Sequence, residues 1–542
     1  MIVHIVFLIL TLWPVNGILI YDSDSTQVDP WICHDGSGGV YYAWDDNRNG
    51  NYDVYMQRVD STGNLLWNPQ GIIICDVQGH QLGVRVIEDG TGGAILCWID
   101  ARGGDDFNLY AQRVDENGNL LWGTGVVVCD IAGSQFNAVT ISDQNQGMVV
   151  VWQDCRSGDN DIYAQRLDSL GNQCWISTGL PLCTSPGEQY QPALADLGNG
   201  YFIILWEDRR NGNYDIYGQI FDTTGNLYWE LNGRQLISFN SHQFQPEVAV
   251  VNDSHFVIVW EDCRNGDIDI DLYVQKFDWQ GLALWDPSGV ELGIGLDYQR
   301  DAQLVADGTD GLFICWEDAR IYQLLIHCQH LDSAGNKLWG PDGIIVTVDN
   351  WLFHNPRMLQ NDSGGVLIQW TEMNTEKILA QSLDSLGTFL WQPPEGVSVC
   401  SLRKNDQCRI ITDGLGGFYS AWVHQYQYDD TSGFSPDVYL QRIYADGSPG
   451  FYETHEEDVS NFVLMQNPAS KTLSITIPEQ YDYFVLKIQD VTGRIVFEKR
   501  VHSNSYTWLC LDNKGRKVPT GVYFLSLEID EKCFTKKVVV LK

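Results

Sequence analysis

The sequence predicts an all-β protein: an eight-bladed β-propeller of about 54 residues per blade, followed by a small antiparallel β-sandwich. Three patterns support this prediction. A tryptophan recurs at nearly constant spacing, strand-length apolar segments follow one another without a helical pattern, and the composition changes near residue 450. Self-similarity at a fixed period is typical of solenoid and propeller folds. With 542 residues, the chain can hold one large repeat array and one further module.

Two series of tryptophans and one of glutamines define the repeat. The first tryptophans end apolar runs 52–56 residues apart: Trp44, Trp98, Trp152, Trp206, Trp260, Trp316, Trp370 and Trp422. The second series follows in the same phase: Trp67, Trp122, Trp175, Trp229, Trp285, Trp339 and Trp391. Between them lie Gln57, Gln112, Gln165, Gln219, Gln275, Gln329, Gln381 and Gln441. Three features in one register indicate a repeated structural unit.

Each repeat is predicted to contain four strands separated by turn residues. In the fourth repeat, residues 191–196, 201–206 and 215–222 are three strands, and a fourth begins at Leu227. The second strand is apolar at nearly every position in each repeat, which is typical of a strand buried on both faces, as between adjacent blades.

The N-terminal segment is expected to close the propeller. The eighth repeat supplies three strands, ending near Ile443, and no fourth strand follows. Residues 18–22 match residues 72–76, the end of a fourth strand in the first repeat. We therefore expect residues 18–450 to form a closed propeller, because pairing of this segment removes the open edge of a linear array.

Residues 1–17 are predicted to be a signal peptide. The apolar run 5–13 precedes Pro14 and a small-residue site that ends at Gly17, as in secretory signals, although a basic residue before the run is missing. An ordinary buried strand is the alternative. No other stretch is long enough for a transmembrane helix, so we expect a soluble mature protein.

The charge distribution narrows the class of partner. Residues 459–542 carry twelve basic and eight acidic side chains, so the remainder carries 21 and 63, a net charge of −42. Such an acidic body repels phosphate backbones, which excludes sequence-independent nucleic-acid binding. Sugars and proteins fit it better.

The fourteen cysteines do not form an obvious disulfide framework. Cys75, Cys129 and Cys183 recur 54 residues apart, and such equivalent positions are too distant to pair within one repeat. We expect mostly small buried thiols. A local bridge between Cys400 and Cys408 stays open, and no CxxC or Cys/His zinc spacing occurs.

Residues 461–542, after a polar linker at 451–460, form the predicted sandwich. Its motifs are Asn467-Pro468, the turn at Gly493-Arg494, the segment around Gly521 and Tyr523, and a basic-apolar ending at Lys542. They resemble the type A C-terminal sorting domain of the type IX secretion system of Bacteroidetes-like bacteria, which is similar to the immunoglobulin-like domain of flagellar hook-capping proteins.

This resemblance covers about the last seventh of the chain. It implies an immunoglobulin-like β-sandwich, recognition by the outer-membrane secretion machinery, and delivery to the medium or the surface of a Gram-negative bacterium. A plain immunoglobulin-like spacer is the alternative. The propeller repeat also resembles repeats of other secreted bacterial proteins and, more distantly, the blades of TolB-like propellers, and neither resemblance implies an activity.

The loop after each second strand is a candidate calcium site. It reads Trp-x-Asp-x-Arg-x-Gly and then Asp-x-Tyr, and its candidate ligands are Asp46, Asp53, Asp154, Asp161, Asp208 and Asp215. Calcium loops also place carboxylates around a glycine. However, an arginine stands where a further oxygen ligand is wanted, so we favour structural Asp–Arg pairs and expect no cofactor.

A specific ligand site is expected where the repeat breaks, in blades six to eight, because residues shared by most blades build the scaffold. Connections from fourth to first and from second to third strands emerge on one face of a propeller, so two variant segments there could meet. The candidates are Trp351, Phe353, His354, His424, Tyr426, Tyr428 and Asp429. They would form an aromatic and polar patch suited to a sugar or peptide. Drift of the terminal blades is the alternative.

Catalytic motifs are missing from the sequence. It contains no GxSxG, HExxH or phosphate-binding glycine loop. The repeat explains the arginines, so we expect no arginine cluster of the kind that sialidases use. The prediction is a non-catalytic, secreted or surface-exposed binding or adhesion protein. Its alternatives are an extracellular glycan-processing hydrolase and a calcium-stabilised structural envelope protein.

Overall fold

The computed structural model describes residues 13–14, 16–104, 106–266, 269–293, 298–320, 323–347, 352–427, 434–449, 463–465, 472–476, 484–490, 494–502, 505–529 and 532–540. Every regular element in these ranges is a β-strand, so the protein is all-β. The chain divides into two compact units, Met1–Pro449 and Gly450–Lys542. Within the described ranges, no helix is long and apolar enough to cross a membrane.

Eight four-stranded antiparallel sheets form the described part of the first unit. The first strands of the sheets are β2 (Gln27–His34), β6 (Gln81–Glu88), β10 (Gln135–Ser142), β14 (Gln189–Gly198), β18 (Gln243–Asn252), β22 (Gln299–Ala306), β26 (Phe353–Gln360) and β30 (Asn405–Thr412). The second strands are β3 (Val40–Asp46), β7 (Ala94–Asp100), β11 (Met148–Asp154), β15 (Tyr201–Asp208), β19 (His255–Asp262), β23 (Leu312–Asp318), β27 (Val366–Glu372) and β31 (Phe418–Gln427).

The fourth strand of each sheet is shorter than the other three. The third strands are β4 (Asp53–Val59), β8 (Asn108–Val114), β12 (Asp161–Leu167), β16 (Asp215–Asp222), β20 (Asp271–Asp278), β24 (Leu325–Leu331), β28 (Ile378–Leu383) and β32 (Phe434–Ile443). The short fourth strands are β1 (Ile18–Tyr21), β5 (Ile72–Cys75), β9 (Val126–Cys129), β13 (Leu180–Cys183), β17 (Arg234–Ile237), β21 (Val290–Glu291), β25 (Ile344–Ile345) and β29 (Val397–Cys400).

The second strands are buried on both faces, as their apolar sequence predicts. In β11, Val150 packs with Ile95 of the preceding sheet, whereas Val149 and Val151 pack with Phe202 of the following sheet. Alternate side chains of one strand therefore belong to two different cores. Each first strand contacts the first strand of the next sheet, and β30 contacts β2, so the order of contacts is cyclic.

The second tryptophan series joins neighbouring sheets. The indole N–H of Trp122 donates to the Ser169 carbonyl in the turn of the next sheet, over 3.3 Å, and Trp391 does the same to Ala445 over 2.9 Å. The glycine of that turn has positive φ, and a Cβ on Gly171 would lie 2.9 Å from the Trp122 ring. The tryptophan and the turn glycine are thus two halves of one contact.

The eighth sheet contains more of the N-terminus than the sequence predicted. Strand β1 pairs with β32, as expected. Trp13 is 1 % exposed, and its indole N–H donates to the Ser61 carbonyl over 3.2 Å. Tryptophans of the second series, such as Trp122, make the equivalent bond to a turn of their own next sheet. The amide Nε2 of Gln441 donates to the carbonyl of Pro14, the residue after Trp13. In the first sheet, Gln57 donates in the same way to the carbonyl of the residue that follows Trp67. Trp13 therefore occupies the place of an eighth member of the second series, ahead of the segment at residue 18 that is predicted to close the array.

The second unit has two sheets. One contains β33 (Val463–Met465), β34 (Leu473–Thr476) and β37 (Ser505–Trp508), and the other has the order β36 (Ile495–Val501), β35 (Phe484–Asp490), β38 (Gly521–Ile529), β39 (Lys532–Val540). Leu473 and Trp508 of the first sheet share a core with Leu486 and Leu525 of the second.

The motif residues of the second unit are partly described. Tyr523 is buried and donates to the Pro519 carbonyl over 2.9 Å, Gly521 begins β38, and Arg494 pairs with Asp490. Asn467, Pro468, Gly493 and Lys542 lie outside the described residues. Thirteen cysteines are free thiols, including Cys400 and Cys408, so the local bridge is not formed.

Candidate ligand-binding cleft

The recurring loop carboxylates pair with neighbouring donors. Asp154 accepts the Trp152 indole N–H over 2.8 Å and the Arg156 Nε over 2.7 Å. The guanidinium of Arg156 then lies 4.0 Å from the centre of the Tyr163 ring, a cation–π contact. Asp46 and Asp208 accept the equivalent tryptophan and arginine donors. These carboxylates are fully buried, and their partners are the scaffold itself.

The second carboxylates of the loops also have local partners. Asn49 donates to Asp53 over 2.8 Å, and Asn211 donates to Asp215 over 2.9 Å. Burial raises the pKa of Asp53 and of Asp161, which disfavours their charged form. Across the described residues, no group of three or more His, Cys, Asp or Glu side chains is arranged to hold a metal ion. Calcium binding by these loops stays the disfavoured alternative to structural pairing.

The expected patch of blades six to eight is described only in part. Trp351, Tyr428 and Asp429 lie outside the described residues, as does the side chain of Tyr426. Phe353 is 3 % exposed and packs in the core, so it offers no aromatic face to a ligand.

The two histidines of that patch lie at the same end of neighbouring sheets. His354 follows the first residue of β26 and is half-buried, and burial lowers its pKa. The Nδ1 of His424 lies 2.9 Å from Asn405 Oδ1, and burial lowers its pKa to about 4. Both rings are therefore neutral at physiological pH. Whether they bind a ligand stays a prediction.

A cleft of about 510 Å³ opens in another part of the first unit, between the third, fourth and fifth sheets. We call it the tyrosine cleft. Its aromatic wall contains Tyr190, Tyr214, His242 and Phe244, and its floor contains Asn137, Gln153, Gln191, Gln245 and Glu207. A cavity of this size suits a small ligand such as one or two sugar rings.

The wall is built where two connections meet. Tyr214 precedes β16, in a connection from second to third strand, and His242 precedes β18, in a connection from fourth to first strand. The Tyr214 backbone N–H donates to His242 Nδ1 over 3.2 Å, and the two ring centres lie 5.3 Å apart. The Tyr190 ring lies 6.1 Å from that of Tyr214. The two kinds of connection therefore share one face, as the sequence predicted.

The floor depends on a bulge in each first strand. Asn137, Gln191 and Gln245 have φ near +50°, an uncommon left-handed conformation for residues other than glycine. Side chains of the preceding sheet accept the bulged backbone N–H groups: Glu207 Oε1 accepts that of Gln245 over 2.8 Å. These contacts hold the bulge in place and leave the three amide side chains exposed on the floor.

The cleft contains one carboxyl group among its described lining residues, that of Glu207. Burial raises the Glu207 pKa, and the hydrogen bond from the Gln245 backbone opposes this shift. The other polar lining groups are amides, a tyrosine hydroxyl pair and an imidazole, which donate and accept without a fixed charge. The arrangement suits a neutral, hydroxyl-rich ligand.

Sequence reasoning missed this cleft because it lies in repeats three to five, where the repeat is most regular. One position that varies between the repeats indicates the cleft. The residue after the conserved first-strand glutamine is Val28 and Leu82 in the first two repeats but Tyr190 and Phe244 in the fourth and fifth. Aromatic residues at a solvent-facing position that varies between repeats point to binding.

Eight similar sheets with a cleft at their connections define the first unit as a repeat scaffold carrying a candidate ligand site. The second unit belongs to a recognised family: residues 466–541 match the family described as Secretion system C-terminal sorting domain. The protein is therefore sorted by the type IX secretion system to the cell surface or the extracellular space, as its terminal motifs predicted. A search of curated proteins found no match to the chain.

Solved structures show only distant likeness. PorZ, a surface component of the type IX secretion system of Porphyromonas gingivalis, is 11% identical, with a TM-score of 0.21 over 96% of this chain and 82% of PorZ. An ulvan lyase is 10% identical, with a TM-score of 0.42 over 70% of this chain and 96% of the lyase. A copper-bound fungal alcohol oxidase is 11% identical, with a TM-score of 0.38 over 83% of this chain and 95% of the oxidase.

Proposed function

We propose that the protein is an exported, eight-bladed β-propeller that binds a glycan in the tyrosine cleft and does not transform it. The cyclic order of sheet contacts supports the closed propeller. Two hydrogen bonds from the eighth sheet to the first also support closure. The Ser61 carbonyl of the first sheet accepts from Trp13 over 3.2 Å and from Arg442 Nη1 over 2.9 Å. We also propose that the two sheets of the second unit are an immunoglobulin-like sandwich, which delivers the propeller to the cell surface.

The observation that carries the proposal is the pairing of aromatic wall and amide floor in the tyrosine cleft. Sugar rings have apolar faces that pack on aromatic side chains and hydroxyl groups that need donors and acceptors. Tyr190, Tyr214 and Phe244 supply the first kind of surface, and the amides of Gln191 and Gln245 supply the second. The net charge of −38 on the whole chain also favours a ligand without many phosphate or sulfate groups.

The content of the cleft favours binding over hydrolysis. Most glycosidases use two carboxyl groups on either side of the bond that they cleave. Among the described lining residues, Glu207 has no second carboxylate opposite it, and its oxygen Oε1 is occupied by the Gln245 backbone N–H. A glycan held here would be recognised through its hydroxyl groups and left intact.

A glycan array with the purified full-length protein tests the proposal. We expect saturable binding to at least one neutral oligosaccharide, and Tyr214→Ala should weaken it by at least about tenfold. A buried aromatic contact with one hydrogen bond accounts for about 1.5–3 kcal/mol, or a factor of about 10–100 in Kd.

The chain offers a matched control for that variant. Tyr52 of the first sheet contacts His80 as Tyr214 contacts His242, with ring centres 5.9 Å apart and the same backbone hydrogen bond of 3.2 Å. Tyr52 does not line the tyrosine cleft, so Tyr52→Ala should leave the affinity unchanged. Equal losses in the two variants, or cleavage of the bound glycan, would contradict the proposal.

A further inference from the structure

One register of the first strands contains three arginines that the rest of the repeat does not explain. It is the position four residues after the start of each first strand, and it holds Trp31, Arg85, Val139, Ala193, Glu247, Gln303, Arg357 and Arg409. The bulge that forms the cleft floor lies two residues earlier. Because neighbouring first strands contact one another in cyclic order, the arginines of the eighth and second sheets flank the tryptophan of the first, and the arginine of the seventh sheet adjoins that of the eighth.

The side chains of this register converge. The Arg85 guanidinium lies 4.4 Å from the Trp31 ring centre, and that of Arg409 lies 4.7 Å from it. Trp31 therefore positions both groups by cation–π contacts. Burial, together with the nearby charges of Arg357 and Arg85, lowers the pKa of Arg409 to about 10. We call Arg85, Arg357 and Arg409 the arginine cluster.

None of the three guanidinium groups lies within 4 Å of a carboxylate oxygen of the described residues. The repeat arginines differ: Arg113, for example, pairs with Asp89 at 2.8 Å. The arginine cluster donates to main-chain carbonyls instead: Arg85 to Val84 at 3.0 Å, Arg357 to Cys408 at 3.3 Å, and Arg409 to Cys408 at 3.0 Å. The Nε of Arg409 is buried and has no hydrogen-bond partner.

Three acidic groups lie near the arginine cluster, and among the described residues none of them forms an ion pair with it. Burial raises the pKa of Asp45 well above its usual value, and the carboxyl group accepts the Gly83 backbone N–H over 2.7 Å. Loss of bulk water raises the pKa of Glu247 to about 7, and the charge of Arg357 opposes this shift. Asp29 is the third acid, and its charge acts on both Arg85 and Arg409.

Clustered, half-buried cations without a directly paired carboxylate are costly, and a bound anion would reduce that cost. We infer that the arginine cluster is a binding site for an oxyanion, a carboxylate or a sulfate group, carried by a small ligand such as an acidic sugar. Guanidinium groups recognise planar and tetrahedral oxyanions through paired N–H donors, and Arg409 Nε supplies one that is free. The site goes beyond the proposed function, because its residues lie outside the tyrosine cleft.

Isothermal titration of the full-length protein at fixed ionic strength tests this site with three probes: sodium sulfate, galacturonate, and galactose as the neutral counterpart of galacturonate. We expect saturable binding of sulfate or galacturonate, and the better of the two identifies the oxyanion. Arg409→Gln should weaken it at least about tenfold, since hydrogen bonds to charged groups contribute 1.5–3 kcal/mol each. The exposed Arg403 gives the matched control, because Arg403→Gln removes the same charge from the connection that precedes β30, the strand of Arg409.

The thermal stability of the same variants separates binding from a structural role. Removing one of three mutually repelling cations should leave the Tm of the ligand-free protein unchanged or higher, whereas a structural arginine would lower it. Arg357→Gln repeats the test if Arg409→Gln does not fold. Absence of saturable binding by both anions, equal affinities in Arg409→Gln and Arg403→Gln, or a clear fall of Tm in both cluster variants would overturn the inference.

Discussion

Replacing Trp13 with alanine tests how the first unit is closed. Trp13 is 1 % exposed, packs in one core with Ile20 and Tyr419, and donates to the Ser61 carbonyl. If it is the eighth member of the second tryptophan series, its removal should cost as much as removal of any other member. A signal peptide that ended at Gly17 would instead remove Trp13 from the mature protein, and the substitution would have no effect.

The size of the effect follows from burial. Truncation of a buried tryptophan costs about 3–5 kcal/mol, from lost transfer free energy and the cavity left behind. The hydrogen bond to Ser61 contributes about 1 kcal/mol of that loss. Trp122 is 7 % exposed and makes the equivalent bond, so Trp122→Ala is the matched control. We expect the free energies of unfolding of the two variants to agree within about 1 kcal/mol.

Chemical denaturation of the exported protein measures both losses, and its intact mass locates the N-terminus. We expect a mature chain that still contains Trp13, because a chain cut at residue 18 would also lose the Pro14 carbonyl that Gln441 binds. A mature protein starting at residue 18, or a stable Trp13→Ala variant beside a destabilised Trp122→Ala variant, would refute the reasoning.

Three further predictions concern buried ionisable groups and the loop carboxylates. The pKa of His424 is about 4 in the folded protein and about 6.5 in the unfolded chain, so the unfolded state binds more protons between these values and stability falls as pH drops from 6.5 to 4. Denaturation midpoints at several pH values should show a shallower slope for His424→Gln than for wild type, and equal slopes would contradict this. Asp154→Asn should lower the free energy of unfolding by about 1.5–3 kcal/mol, since it removes the charge that the half-buried Arg156 pairs with, whereas Asp159→Asn on the exposed loop should not. Millimolar calcium should not raise the Tm of wild type, and a rise of several degrees would show that the loop carboxylates hold the ion.

Much of the fold could be read from the sequence because each repeat encodes the same contacts. Three features have their partners within one repeat or in the next one. They are the apolar second strands, the tryptophans at fixed spacing, and the buried glutamines, of which Gln165 is an example. The position of Trp13 was also readable: its distance to Gly17 equals that of Trp67 to Gly71. The sequence nevertheless favours a signal peptide there, because an isolated apolar run has the same pattern in a signal peptide and in a buried segment.

The two sites were harder to predict for physical reasons. The tyrosine cleft depends on bulges at Gln191 and Gln245 that the sequence does not predict, because residues with positive φ are usually glycines. The arginine cluster joins Arg85 to Arg409, which are far apart in the sequence and meet only because of the cyclic order of sheets. The prediction that the repeat accounts for all arginines was therefore wrong for these three.

A crystal structure of the full-length protein with the best-binding glycan from the array tests the central claim most directly. We predict an intact sugar ring packed against Tyr214, with hydroxyl groups bonded to the amides of Gln191 and Gln245. A glycan bound beside His354 and His424, or a cleaved glycan in the tyrosine cleft, would contradict it.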